Sequence, residues 1–259
     1  MVPPPPGCVE ATVQGAGDVT LRGWRCAVRP PSRGTIIFLH GVADNRASGV
    51  GVISRFLARG FDVVAFDSRA HGSSSGDACT YGYFEKVDLA RVIDATASTR
   101  VGLIGHSLGA AVALQTAATD KRVRAVVSAE SFADLRTVAS ERAHFLPALI
   151  IDRAFRSAEQ QGQFNVDAVN PAAAAASIDV PVLVIHGADD DATLPHHAEK
   201  IFRALAGPKK LMLVAGARHA GSLGRADVWQ EIETWVDAAF EPVPASRESP
   251  ATASASVSR

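Results

Sequence analysis

The sequence predicts an α/β fold: a mostly parallel central sheet of about eight strands, with helices on both faces and a small helical cap inserted late in the sheet. Short apolar runs alternate with helix-forming segments along most of the 259 residues. Several of these runs are apolar without interruption, as in parallel strands buried on both faces. One stretch, Val101 to Leu114, passes from an apolar run through Gly-His-Ser-Leu-Gly into an alanine-rich run, which reads as strand, sharp turn and helix.

The elements follow in order. Residues 1–7 form a Pro-rich tail. Strands near Cys8–Val13 and Val19–Val28, with turn chemistry at Gly15-Ala16-Gly17-Asp18 between them, read as an antiparallel hairpin. Thr35–His40 is an apolar strand, followed by a loop and a helix around Ser48–Arg59. Phe61–Asp67 is the next buried strand and ends in the polar loop Ser68–Gly76. A helix near Tyr83–Ala97 leads to the Val101–Ile104 strand and the helix after Ser107. Val123–Ala129 is another strand.

From about 131 to 177 the strand–helix rhythm breaks. Helical patterns near Phe132–Arg142 and Pro147–Glu159, and an alanine run opened by Pro171, exceed what one crossover needs, so this segment reads as the cap. The rhythm resumes with strand Val180–His186, helix His196–Ala206, strand Lys210–Val214 and amphipathic helix Ala226–Phe240. The folded unit with its cap therefore spans 8–240, and the Pro-, Ser- and Ala-rich residues 241–259 read as a disordered tail.

Composition limits the function classes. The chain is 47% hydrophobic with a formal net charge of -1, so no basic patch argues for nucleic acid and no charge block for a membrane surface. Apolar runs are far shorter than the roughly 20 residues of a spanning helix. Cys8, Cys26 and Cys79 match no zinc or redox spacing and read as free thiols in a reducing compartment. The N-terminus has neither a basic nor an apolar signal region, which implies a cytoplasmic setting; a chain trimmed of an export signal would read the same way.

The chemistry gathers at the carboxyl ends of the strands, where such sheets bind ligands. Gly105 and Gly109 let strand and helix approach, and the turn between them holds Ser107 clear of the sheet. A serine hydroxyl needs a base, and the base needs an acid to fix its tautomer. His219 lies in a small-residue loop after the last strand; Asp189, Asp190 and Asp191 follow strand Val182–His186. The chain order is thus Ser, Asp, His. The N–H of Leu108, the residue after the nucleophile, points to one half of an oxyanion hole.

These stretches together resemble the α/β-hydrolases, specifically the single-domain esterase, peptidase and dienelactone-hydrolase-like group with a short cap. The matching residues are His40-Gly41 with Asn45, Asp67–Gly76, Gly105–Gly109, His186–Asp190 through Pro195, and Gly216–His219. The resemblance implies that the acid sits four residues after His186, at Asp190. Relatives often carry a proline four residues beyond the acid; here that position is Leu194 and the proline is Pro195, which keeps Asp191 as runner-up. It also implies that Val42 supplies the second oxyanion donor, and that no cofactor or metal takes part.

The resulting expectation is a serine hydrolase that cleaves small to medium carboxylic esters through an acyl-enzyme, its partner a small-molecule acyl substrate. A thioesterase or peptidase on the same residues, or a non-catalytic binding module of the same fold, are the alternatives; oligomeric state is open. Other polar residues have plainer readings. His40 and His71 hold loops, His106 packs beside the turn, and Arg69 anchors its loop to a carboxylate. His196 and His197, adjacent on a helix, diverge and make no metal site.

Overall fold

Strand pairing begins with the hairpin: Cys8–Gln14 (β1) runs antiparallel to Thr20–Cys26 (β2). The structure, a computed structural model, describes residues 2–241, so 242–259 of the expected disordered tail lie outside the described residues. β2 in turn pairs antiparallel with Asp62–Phe66 (β4). Beyond β4 every neighbour is parallel: Thr35–Leu39 (β3), Val101–His106 (β5), Val123–Ala129 (β6), Val182–Gly187 (β7) and Lys209–Val214 (β8). The eight-stranded order is β1-β2-β4-β3-β5-β6-β7-β8. The sequence places each of these strands within two residues of its observed ends.

Helices cover both faces, as buried parallel strands require. Glu85–Thr96 (α2), Leu108–Ala117 (α3) and His196–Ala204 (α7) enclose one apolar layer with Leu103, Val112, Val126 and Ile201. Val50–Ala58 (α1) and Ala226–Phe240 (α8) enclose the other, built on Trp24, Phe56, Phe61 and Phe240. α8 buries Val228, Trp229, Ile232, Val236 and Phe240, a helical stripe. All of α3 is buried, and its alanines keep it thin enough to lie against the sheet and α2 together.

Between β6 and β7 lie Leu135–Arg142 (α4), Ala148–Gly162 (α5), a 3-10 turn at Val166–Ala168 and Pro171–Ala175 (α6). α6 packs back onto α3 and α7, whereas the segment before it has a small core of its own that contains Phe132, Leu135, Val138, Phe155 and Val166.

The cysteines depart from the sequence reading. Cys8 and Cys26 face each other across the β1–β2 register and are joined by a disulfide; Cys79 alone is free. Spacing missed the pair because the hairpin, not the intervening sequence, brings them together. The expectation of free thiols throughout is therefore corrected, and with it the cysteine argument for a reducing compartment. Burial and the nearby Glu85 push the Cys79 thiol up to about 12, so it is no nucleophile near neutral pH.

Alkylation followed by mass spectrometry checks this pairing. Unfolded protein prepared without reductant should take up one alkyl group, at Cys79, and three after reduction. Three groups without reductant would remove the disulfide.

Candidate active site

The turn at Ser107 is built from two close approaches. A Cβ on Gly105 would lie 2.4 Å from the Gly109 carbonyl oxygen, and one on Gly109 would lie 2.2 Å from the Leu39 carbonyl oxygen. Neither position has room for a side chain. With both satisfied, Ser107 takes φ 51°, a left-handed conformation costly for serine. Its N–H donates to Ala129 O at 2.8 Å, which pins the turn to β6.

β7 and β8 supply the other two groups. The loop after β8 folds over the end of β7, where a Cβ on Gly187 would meet Ala217 O at 2.4 Å. There the Ser107 hydroxyl donates to His219 Nε2 at 3.1 Å, and His219 Nδ1–H donates to Asp190 Oδ2 at 2.8 Å. Asp190 Oδ1 accepts from the N–H groups of Ala192 and Thr193, at 2.9 and 2.8 Å. Burial opposes ionisation of Asp190, yet hydrogen bonds from His186, His219 and Thr193 hold its carboxyl well below the usual carboxylate range. It therefore stays an anion that fixes His219 with its Nε2 lone pair toward Ser107.

The other two aspartates point elsewhere. Asp191 pairs with Arg218 at 2.7 Å, both well exposed, and Asp189 is exposed. Leu108 opens α3, so its N–H lies outside the helix ladder. Val42, in the loop after β3, lines the same hollow as Ser107 and Leu108.

That hollow is a cavity of about 360 Å³. The segment between β6 and β7 contributes Phe132, Leu135, Val138, Phe155 and Val166, and Tyr81, which packs against the same cluster, joins them in the lining. Arg142 brings the one charged side chain of the lining. Its Nε donates to Ala192 O at 2.7 Å and its Nη2 to Thr193 Oγ1 at 3.0 Å, so it grips the loop that holds Asp190.

The histidines flanking the site serve as struts. His40 is fully buried, and burial lowers its pKa. Its neutral ring donates from Nδ1 to Gly41 O at 2.7 Å and accepts from Ser68 N–H at 2.9 Å. His71 Nδ1 lies 2.8 Å from Arg69 O, and Arg69 is tied to Asp88 at 2.7 and 2.8 Å. His196 and His197 do not diverge as expected: their rings are 4.3 Å apart, and both reach Glu141. This trio still makes a poor metal site. His197 Nδ1 accepts from Ala133 N–H at 3.1 Å, so Nε2 carries the proton it gives to Glu141 and has no lone pair for a cation.

Glu130 was missed in the sequence. It follows β6 directly, a charged residue closing a buried strand at the rim where the polar clusters meet. That position was the available signal. Arg142 carried none, because its approach to the cavity depends on helix placement, whereas Tyr81, in an aromatic run read either as packing under the entrance or as core, lines the cavity.

Comparisons with known proteins agree on the fold. Residues 34–164 match the family model described as alpha/beta hydrolase fold. The uncharacterized protein YqkD of Bacillus subtilis (strain 168) is 31% identical over 201 residues, covering 73% of this chain and 65% of the relative. Among solved structures, the esterase Pf2001 of Pyrococcus furiosus superposes with a TM-score of 0.72 at 23% identity, covering 89% of this chain and 92% of that one. The acetyl xylan esterase from Paenibacillus sp. R4 also gives 0.72, at 19% identity, with 88% and 83% covered. At these identities the two structures speak to fold alone.

The Asp190 environment has a pH signature. Its folded-state pKa is depressed below the unfolded value of about 3.9. Its contribution to stability is therefore complete above that value and is lost as pH falls through the folded one. Urea unfolding of wild type and Asp190→Asn should show a stability gap that is constant near neutrality and narrows below about pH 4. A gap that widens toward acid would contradict the assignment.

Proposed function

The chain belongs to the alpha/beta hydrolase family, and from that premise we propose that it is a serine hydrolase cleaving carboxylic esters through an acyl-enzyme. The observation that carries the reading is the hydrogen-bonded line from Asp190 through His219 to Ser107. Ser107 Oγ attacks the acyl carbonyl while His219 Nε2 takes its proton. Asp190 holds the ring and balances the positive charge that forms on it. The oxyanion is held by the N–H groups of Leu108 and Val42, each worth roughly 3–4 kcal/mol in the transition state. His219 then returns the proton to the leaving alcohol. Water, deprotonated by the same ring, releases the acid and restores Ser107. No cofactor enters these steps.

The substrate we propose is a small to medium ester with an apolar acyl group, for which the cavity beside Ser107 offers aromatic and aliphatic walls. A thioester presents the same acyl carbon to the same groups. The disulfide suits an oxidising compartment and so removes the cysteine support for the cytoplasmic setting expected from the sequence. No helix among the described residues is long and apolar enough to cross a membrane.

Hydrolysis of p-nitrophenyl esters tests the reading. Each added methylene buried in the cavity should raise kcat/KM by up to about fourfold, so butyrate should exceed acetate by about 10-fold. Ser107→Ala should lower kcat by about 10⁴-fold or more and abolish labelling by a fluorophosphonate probe. Equal turnover by both proteins would remove Ser107 as nucleophile. A folded wild type that neither turns over nor labels would point to a binding module.

A further inference from the structure

Glu130 is a fully buried carboxylate near the site, with a side chain 0% exposed. It stands at the C-terminal end of β6 with φ 56°, a left-handed conformation that a glutamate adopts only under constraint. Its backbone is fixed by donation from Glu130 N–H to Ile185 O at 2.8 Å. The carboxylate accepts N–H bonds from two sides of the site. Oε2 accepts from His106 Nε2 at 2.9 Å and from Ala220 N–H at 2.7 Å; Oε1 accepts from Ser222 N–H at 3.2 Å. Burial alone would favour the neutral acid, but the bonds from His106 and Ser222 outweigh it and keep the group ionised.

These partners flank the reacting groups. His106 directly precedes Ser107, and Ala220 directly follows His219. The His106 ring lies 5.4 Å from the His219 ring, centre to centre, and a Cβ on Gly41 would sit 3.0 Å from His106 Nδ1. Ala220 is itself held at φ 65°. One carboxylate therefore grips both the turn after β5 and the loop after β8, which lie over a hundred residues apart in the chain.

We propose that Glu130 is a positioning residue: its carboxylate locks the loop carrying His219 against the turn carrying Ser107 and so sets the distance between base and nucleophile. It donates and accepts no proton in the reaction. The proposal rests on the reading of Ser107 and His219 as the reacting pair. Asp190 orients the imidazole from one side of the loop, and Glu130 fixes the backbone of the same loop from the other. Misplacing a reacting group by about 1 Å can cost about 10²-fold in rate.

The test compares Glu130→Gln, which keeps the reach but loses an acceptor, with Glu130→Asp, which keeps the charge but loses the reach. His106→Phe removes one of the three donors and keeps the glutamate, should the first two fold poorly. Asp237→Asn, at a carboxylate on α8 that pairs with Arg33 and Arg59, is the control for simple destabilisation. With p-nitrophenyl butyrate, both Glu130 variants should lose about 10²-fold in kcat with KM within about twofold. His106→Phe should lose less. Asp237→Asn should lower Tm and leave kcat per folded molecule unchanged. Amide hydrogen exchange at Ala220 and Ser222 should quicken in the Glu130 variants and not in Asp237→Asn. Wild-type kcat in Glu130→Gln and His106→Phe, an equal kcat loss in Asp237→Asn, or unchanged exchange at Ala220 and Ser222 would each overturn the proposal. The exchange measurement needs no turnover. It therefore decides the clamp separately from the Ser107→Ala and labelling results that decide the hydrolase reading.

Discussion

The closeness of α3 to the sheet is the constraint on which the site depends. Two glycines, Gly105 and Gly109, let backbone meet backbone where any side chain would intrude. Only at that separation does the chain turn sharply enough to hold Ser107 at φ 51° with its hydroxyl toward the loop after β8. The cost of that conformation is met by ordinary forces. An N–H bond to Ala129 O and the complete burial of α3 hold the turn where local preference alone would relax it.

From that turn the arrangement extends outward through strand ends. β6 contributes Ala129 and Glu130, β7 leads to Asp190, and β8 leads to His219. Parallel strands bring all their carboxyl ends to one rim, so residues far apart in sequence meet without any long excursion of the chain. Two buried carboxylates stand on either side of the His219 loop, one facing the ring and the other facing the backbone.

Much of this was legible in the sequence because the signals were local. Continuous apolar runs marked β3 to β7, and glycines at fixed offsets marked the turn at Ser107. The loops bearing Asp190 and His219 stood out as polar breaks at the ends of apolar strands. What was hidden depends on distance in space. Cys8 and Cys26 pair because a hairpin register opposes them, which their separation of 18 residues does not announce. His196 and His197 converge on one partner, Glu141, which comes from another helix. Glu130 looks like one more surface acid until three N–H groups from two other segments are seen to meet it.

Arg142 joins two parts that are usually thought of as independent. It borders the cavity beside Ser107, and it also holds Ala192 and Thr193, whose N–H groups bind Asp190. A change at this position therefore reaches both the wall of the hollow and the loop that fixes the Asp190 carboxylate. A change in the apolar wall at Leu135 or Val138 leaves that bracing in place, whereas a change at position 142 removes it unless some other group takes hold of the loop.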